Sequence, residues 1–286
     1  AASPYGTLPP ASPMASRKPI SLPRLLEMRA RNEKITMITA YDATFAAVAD
    51  AAGIDSILVG DSLGMVVYGM ENTLAVSLDT MIAHTQAVMR GSTHAAVLLD
   101  MPFSSYQESP QQAYRNGARA LAESGAQGLK LEGGAELVDT VEFLVARGLP
   151  VMPHIGLMPQ RVNEMGGFKA QGREEDAAKK WISIAQRFEN AGAFSVLMEG
   201  TVEPVASAVA NALKVPLIGI GASPACDGQV LVTEDILGLF PDFTPRFAKR
   251  YAEIGKLISV AAGQYAADVR LGAFPTPEHC FGVRKQ

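Results

Sequence analysis

Short apolar segments alternate with longer segments of helical periodicity along most of the chain. The apolar segments are short and almost free of polar residues, a pattern typical of parallel strands buried on both faces. We place these strands at residues 35–40, 56–60, 95–99, 128–131, 151–154, 194–198, 217–220 and, from a weaker pattern, 230–232. The chain is therefore predicted to contain a parallel sheet of up to eight strands.

The segments between the strands carry apolar residues three and four positions apart, which predicts amphipathic helices. The clearest helices are predicted at residues 78–90, 110–123, 135–147 and 174–190. About eight strand and helix pairs in roughly 250 residues match a (β/α)8 TIM barrel, whereas a doubly wound sheet of this length normally has fewer strands or a second domain. We predict an α/β fold: one barrel domain over residues 21–286, with one or two helices in residues 247–271 closing the barrel.

Residues 1–20 differ in composition from the rest of the chain. They are rich in Ala, Ser and Pro, and the first acidic residue of the chain is Glu27. An organellar targeting sequence is also poor in acidic residues, but it usually has more Arg in an amphipathic pattern than Arg17 and Lys18 supply. We therefore favour a disordered tail over residues 1–20.

Charge and cysteine content limit the class of partner and the compartment. A net charge of -4 gives no basic surface for nucleic acid, so a small-molecule partner is favoured. The chain has no run of about 18 apolar residues that would predict a membrane span. Cys226 and Cys280 lie far apart without a Cys-x-x-Cys pair, which disfavours a disulfide scaffold or a zinc site. We expect a cytoplasmic protein without a nucleic-acid or membrane partner.

Carboxylates follow four of the predicted strands, namely Asp61, Asp100, Glu132 and Glu199. Active-site side chains of TIM barrels gather at the carboxyl ends of the strands, so these acids should converge. A single acid there can simply cap the next helix. Several acids brought together repel one another unless they bind protons or share a cation, and oxygen ligands without clustered His or Cys favour Mg²⁺.

Lys130 and His154 are further candidates for this site. Lys130 lies two residues before Glu132 on the same predicted strand, so both side chains point to the same face. Lys130 is either a counter-ion for Glu132 or also a ligand for an anionic substrate. His154 ends another strand and is either a hydrogen-bonded histidine of the barrel rim or part of the site. His84 and His94, on or near a predicted helix, are assigned structural roles.

A series of collinear motifs extends these observations along the chain. The motifs are ITAYD at 38–42, VGDSLGM at 59–65, DMPF at 100–103, KLEGG at 130–134, HIGLMPQ at 154–160, GGFK at 166–169, QGR at 171–173, GIG at 219–221 and DGQ at 227–229. Together they resemble the ketopantoate hydroxymethyltransferase family over residues 20–283. The resemblance implies a TIM barrel of the phosphoenolpyruvate and pyruvate type and a homo-oligomer, often a decamer.

The resemblance also implies a reaction and residue roles. The family converts 3-methyl-2-oxobutanoate and 5,10-methylenetetrahydrofolate to 2-dehydropantoate and tetrahydrofolate, on the route to pantothenate and coenzyme A. The implied Mg²⁺ ligands are Asp61 and Asp100, with Glu132 at or next to the metal. The implied substrate-binding residues are Asp61, Ser62, Asp100, Lys130 and His154, and the implied catalytic base is Glu199.

The implied chemistry agrees with the residue types. A 2-oxo acid chelates Mg²⁺ through its carboxylate and keto oxygens, and the metal then stabilises the enolate as a Lewis acid. Glu199 follows an apolar run, so desolvation is expected to raise its pKa toward neutrality, which suits a base that removes the C3 proton.

Three other functions stay open at this point. The first is a 2-oxo-acid lyase or mutase on the same kind of barrel, although the Lys-x-Cys-Gly loop typical of those enzymes is missing from the sequence. The second is an aldolase that forms a Schiff base on Lys130. The third is a barrel without catalytic activity, in which the acids only cap helices.

Overall fold

The computed structural model describes residues 17–167, 170–242 and 244–282. Eight parallel strands pair in chain order, and the eighth pairs with the first to close the barrel. The strands are β1 Ile35–Thr39, β2 Ser56–Val59, β3 Ala96–Asp100, β4 Gly128–Glu132, β5 Val151–Gly156, β6 Val196–Glu199, β7 Leu217–Ile220 and β8 Gly228–Leu231. The predicted barrel is confirmed, with strand ends shifted by one or two residues.

Helices follow most of the strands. They are α1 Leu22–Ala30, α2 Ala43–Ala51, α3 Leu63–Val66, α4 Leu78–Gly91, α5 Pro110–Ser124, α6 Val138–Val145, α7 Val162–Met165, α8 Ala177–Asn190, α9 Glu203–Ala212, α10 Thr233–Leu237 and α11 Ile254–Leu271. Short 3₁₀ turns at Ala135–Leu137 and Pro159–Arg161 precede α6 and α7. The four predicted long helices are confirmed, but residues 221–227 join β7 to β8 without a helix.

Apolar spacing explains why the helices pack on the barrel. On α8 the buried residues include Trp181, Ile184, Ala185 and Phe188, which follow the three and four spacing of one helix face. Inside the barrel, strand residues such as Leu98 pack in a cluster that also contains Leu25 of α1. Because Asp100 lies two positions after Leu98 on β3, its side chain points to the same interior face.

Strand register brings the charged strand ends to the same level. Asp100 of β3 pairs with Lys130 of β4, and Glu132 of β4 pairs with His154 of β5. Glu199 of β6 is in register with Gly156, two residues beyond His154. Parallel pairing therefore places these side chains at the carboxyl end of the barrel, as expected for its active-site end.

The start of the described chain lies against the barrel. Arg17 donates to the Asp55 carboxylate at 2.8 Å and to the Ile54 carbonyl at 3.1 Å. The Ile20 amide donates to the His94 carbonyl at 2.6 Å, and Ile20 is buried. Residues 17–20, which we predicted as part of the tail, thus contact the barrel. Residues 1–16 of the predicted tail lie outside the described residues.

The chain divides into two compact units, the first ending at Val232 and the second beginning at Thr233. All eight strands belong to the first unit. The second unit contains α10 and α11, and the helix predicted within residues 247–271 begins only at Ile254. Across residues 17–167, 170–242 and 244–282, no helix combines the length and the apolar character that a membrane crossing requires.

Candidate active site

Three carboxylates meet at the carboxyl end of the barrel and form what we call the acidic cluster. Asp61 lies two residues after β2, Asp100 ends β3 and Glu132 ends β4. All three side chains are buried, and each places an oxygen within 4.8 Å of an oxygen of the other two. The Asp61 amide also donates to the Asp100 carboxylate at 3.1 Å. Three of the four acids that we predicted to converge therefore meet here.

Lys130 is the cation of this cluster. Its ammonium lies 2.7 Å and 2.8 Å from the two Asp100 oxygens and 3.2 Å from a Glu132 oxygen. Burial lowers the pKa of Lys130, but the neighbouring carboxylates more than offset this effect and raise the pKa above its ordinary value. Lys130 therefore stays charged. With all three carboxylates ionised, the cluster would carry two negative charges that Lys130 does not balance.

The protonation of the acidic cluster reflects this excess of negative charge. Burial raises the pKa of Asp61, and it raises that of Asp100 well above its usual range, although Lys130 opposes both shifts. For Glu132, burial is outweighed by Lys130 and His154, which lower the pKa to about 2. A divalent cation would supply the missing positive charge. The all-oxygen donor set with two uncompensated charges fits Mg²⁺.

His154 lies between the acidic cluster and the fourth predicted acid. Its Nδ1 is 3.3 Å from a Glu132 oxygen, and its Nε2 is 3.4 Å from a Glu199 oxygen. The ring is buried, and burial together with Lys130 lowers the pKa of His154 below its ordinary value. The imidazole is therefore neutral near pH 7, with one N–H available to the two carboxylates that flank it.

Glu199 differs from Asp100 and Glu132 because Lys130 does not contact it among the described ion pairs. Burial is the main reason that its pKa rises to about 8, and the charge of Glu132 adds to the rise. This matches the desolvation expected from the apolar run before it. Near neutral pH, Glu199 exchanges readily between its protonated and ionised forms, as a group that transfers protons must.

Of the remaining candidate residues, Ser62 lies next to the acidic cluster, whereas His84 and His94 do not. Ser62 follows Asp61 directly, is half-buried, and its hydroxyl lies 2.8 Å from that of Tyr41. His84 and His94 make contacts outside the acidic cluster: His84 with the Tyr41 carbonyl at 2.6 Å, and His94 with Asp50 at 3.0 Å.

Comparison with known proteins supplies the family. The model of the ketopantoate hydroxymethyltransferase family matches residues 19–277. The chain belongs to this family. It is 56% identical over 269 residues to "3-methyl-2-oxobutanoate hydroxymethyltransferase 1" of Hahella chejuensis, covering 94% of this chain and 96% of that protein. It is 57% identical to the "3-methyl-2-oxobutanoate hydroxymethyltransferase" of Rhodospirillum rubrum, covering 88% of this chain and 91% of that protein.

Solved structures confirm the barrel of this family member. A phosphonopyruvate hydrolase superposes with a TM-score of 0.57 at 15% identity, covering 90% of this chain and 92% of that one. A 2,3-dimethylmalate lyase, described as a member of the phosphoenolpyruvate mutase and isocitrate lyase superfamily, gives 0.55 at 16% identity and covers 93% and 92%. At such low identity the likeness concerns the fold alone.

Two polar residues of the site were not predicted in any role. Gln160 lies in a motif that we quoted for the family resemblance, and Tyr106 follows the DMPF motif after β3. Both are buried beside the acidic cluster and hydrogen-bond to it. Their local sequence offers no periodic or charge signal, because each lies in a loop that only the folded barrel brings to the site. Phe168 and Lys169 of the GGFK motif lie outside the described residues.

Proposed function

We propose that this protein transfers a one-carbon unit from 5,10-methylenetetrahydrofolate to 3-methyl-2-oxobutanoate and thereby forms 2-dehydropantoate and tetrahydrofolate. The observation that carries this proposal is the acidic cluster beside Glu199 at one end of the barrel, in a chain of this family. The C3–H bond of the oxo acid breaks and a bond from C3 to the folate methylene carbon forms. Both bonds from that carbon to the folate nitrogens break, and water supplies the hydroxyl group of the product. The C3 proton and the second proton of the water end on the two nitrogens of tetrahydrofolate.

Asp61 and Asp100 would hold Mg²⁺, with Glu132 at or next to the ion. The support is the burial of three carboxylates whose oxygens lie within 4.8 Å of one another and whose charge Lys130 only partly balances. When bound, Mg²⁺ would act as a Lewis acid that polarises the 2-oxo group. The carboxylate and keto oxygens of the substrate would be further oxygen ligands of the kind that this ion prefers.

Lys130, Ser62 and His154 bind and orient the oxo acid in this proposal. The Lys130 ammonium lies against Asp100 and Glu132 and keeps its proton, so it offers positive charge to an anionic substrate rather than a free amine. The same observation disfavours a Schiff base on Lys130. Ser62 is half-buried next to Asp61. The neutral His154 ring lies between Glu132 and Glu199 and offers its polar ring nitrogens there.

Glu199 is the proposed base. In its ionised form, a Glu199 carboxylate oxygen accepts the proton from C3, and the electron pair left on C3 attacks the methylene carbon. A pKa of about 8 in a buried site makes Glu199 a stronger base than an exposed glutamate. His154, 3.4 Å from Glu199, can hold the resulting carboxylic acid in place by a hydrogen bond.

A coupled assay tests this function. The protein is incubated with both substrates, and 2-dehydropantoate is followed with Mg²⁺, with EDTA, and with EDTA followed by excess Mg²⁺. We expect product only where free Mg²⁺ is present and only with the folate. Borohydride trapping serves as the counter-test: covalent labelling of Lys130 by the oxo acid would support a Schiff base and contradict the proposal.

We further propose that the protein forms a homo-oligomer, a decamer by resemblance to its family, and acts in the cytoplasm. Support for the oligomer comes from α11, which contains no buried residue although Leu257, Ile258, Val260 and Tyr265 are all apolar and exposed. An apolar surface of this kind marks an interaction site. Support for the compartment comes from Cys226 and Cys280, which are both free thiols.

A further inference from the structure

Gln160 is a neutral residue that hydrogen-bonds to two carboxylates of the acidic cluster. Its side-chain amide nitrogen donates to the Asp61 carboxylate at 2.9 Å and to the Met101 carbonyl at 2.9 Å. Its backbone N–H donates to the Glu132 carboxylate at 3.0 Å. One buried residue in the loop after β5 thus fixes carboxylates that come from β2 and β4.

The orientation of the Gln160 amide follows from these partners. A carboxylate and a carbonyl only accept hydrogen bonds, so the amide nitrogen must face Asp61 and Met101. The amide oxygen then faces the Tyr106 hydroxyl at 2.6 Å and the Gln107 amide nitrogen at 3.2 Å. Both side-chain N–H groups and the amide oxygen are therefore hydrogen-bonded, which leaves the side chain one stable orientation.

Tyr106 connects this amide back to the cluster. Its hydroxyl accepts a hydrogen bond from the Glu132 amide at 2.9 Å. Its one proton has two acceptors within reach, and the Gln160 oxygen at 2.6 Å is closer than the Glu132 carbonyl at 3.0 Å. A continuous path of hydrogen bonds thus runs from the Glu132 backbone through Tyr106 and Gln160 to the Asp61 carboxylate.

We propose that Gln160 is a positioning residue for the cation site. Its side chain sets the orientation of Asp61, and its backbone N–H sets the orientation of Glu132. Tyr106 holds the Gln160 amide in place. This inference rests on the Mg²⁺ site of the proposed function. Lys130, which contacts Asp100 and Glu132, orients those acids but also neutralises part of their charge. A neutral amide orients Asp61 and leaves its full negative charge to the cation.

The experiment measures the Mg²⁺ affinity of the substrate-free protein by isothermal titration calorimetry. Gln160→Met keeps the length of the side chain and removes both the donor and the acceptor. Because residues that orient metal ligands typically contribute about 10- to 100-fold in metal affinity, we expect the dissociation constant for Mg²⁺ to rise about 10-fold or more. Tyr106→Phe, which removes the shorter of the two hydrogen bonds to the amide oxygen, should raise it by a smaller factor.

Gln107→Ala is the matched control. Gln107 contacts the same amide oxygen at 3.2 Å, but it is exposed and touches no carboxylate of the cluster in the described contacts. Its variant should bind Mg²⁺ within about twofold of the unchanged protein. The second readout is the exchange of the C3 proton of the oxo acid with deuterated water, without folate. In Gln160→Met, excess Mg²⁺ should restore exchange, which a general loss of structure would not allow.

The outcomes separate this inference from the proposed function. Unaltered Mg²⁺ affinity in a folded Gln160→Met protein, beside clear binding by the unchanged protein, would overturn the positioning role alone. If Gln160→Met does not fold, the Mg²⁺ affinity of Tyr106→Phe is used instead, and an unaltered affinity in that variant would overturn the positioning role. If the unchanged protein binds no Mg²⁺, the proposed metal site is wrong and the positioning role is wrong with it.

Discussion

Two neighbouring acids of the site differ in pKa although burial raises the pKa of both. Glu132 and Glu199 both lie within 3.4 Å of the His154 ring, yet the pKa of Glu132 falls to about 2 and that of Glu199 rises to about 8. Lys130 contacts Glu132 and accounts for much of the difference. Glu132 therefore stays ionised as part of the proposed cation site, and Glu199 can take up and release a proton.

This difference predicts a pH dependence for proton removal. Because Glu199 acts as a base only when ionised, C3 exchange with saturating Mg²⁺ should rise with pH and level off once Glu199 is ionised. The midpoint should lie at or below about 8, since a bound cation favours the carboxylate. Proton NMR in deuterated water from roughly pH 5 to 9 measures this rate. A rate that is flat or falls with rising pH would contradict the assignment.

Residue types alone predicted part of this site. The acids at strand ends and the shared face of Lys130 and Glu132 could be read from the sequence, since both follow from the alternation of strand residues. The partner of Lys130 could not be predicted fully. Its closest contact is Asp100 of the neighbouring strand, which depends on the register of β3 and β4. Gln160 could not be predicted at all, because its role depends on the path of a loop.

At the scale of elements, the helices must approach one another closely for the barrel to close. The contact of α2 with α4 depends on Gly91, where an added Cβ would lie 2.1 Å from the Ala43 carbonyl oxygen at the start of α2. Ala43 follows Asp42, whose side chain caps α2 by accepting from the Phe45 amide at 2.8 Å. The start of α2 therefore has little room to move.

Gly91→Ala is predicted to be destabilising for this reason. Overpacking of a tight contact costs about 1–3 kcal/mol, and backbone atoms cannot rotate away as a side chain would. Gly263→Ala on α11 is the control, because nothing lies within 4 Å of its added Cβ. An exposed Gly to Ala change within a helix should be neutral or stabilising, by up to about 1 kcal/mol. Urea denaturation of both variants measures the free energy of unfolding, and equal stability would contradict the packing argument.

Strands and helices were predicted correctly where buried apolar residues recur at regular spacing along the segment. The strands and the four long helices have strong apolar patterns, and their ends moved only slightly. The prediction was wrong for residues 247–253, which precede α11 and are not helical. Apolar residues occur there and throughout α11, but none of the α11 residues is buried, so the pattern did not report packing within the chain.

For the whole molecule, the barrel topology can be predicted from the number and order of the strands. The way in which several chains associate cannot be predicted from them. Closure by pairing of β8 with β1 was predictable because eight short parallel strands have one common closed arrangement. The surface of α11 carries Ile258 and Tyr265 at 55% and 60% exposure, seven residues apart on one side of the helix. In the proposed oligomer this surface would contact another copy of the chain, and the sequence of one chain does not specify the arrangement of the copies.

The oligomer proposal gives a prediction at this scale. Light scattering after size exclusion should give a mass several times the 30.3 kDa of one chain, ten times for a decamer. The double variant Ile258→Glu with Tyr265→Glu should lower that mass, because buried carboxylates in an apolar contact are costly. Ser259→Glu, an exposed polar position on another side of α11, should leave it unchanged. A monomeric protein, or a double variant of unaltered mass, would rule out this role for α11.

In the proposed mechanism, Glu199 removes the C3 proton of a 2-oxo acid beside a cation held by the acidic cluster. Glu199→Gln is the decisive variant, because the amide keeps the shape of the side chain and cannot accept this proton. With Mg²⁺ and 3-methyl-2-oxobutanoate but no folate, exchange of the C3 proton with deuterated water should fall by about 100-fold or more, while calorimetry shows both ligands still bound. Exchange at the rate of the unchanged protein would contradict the claim.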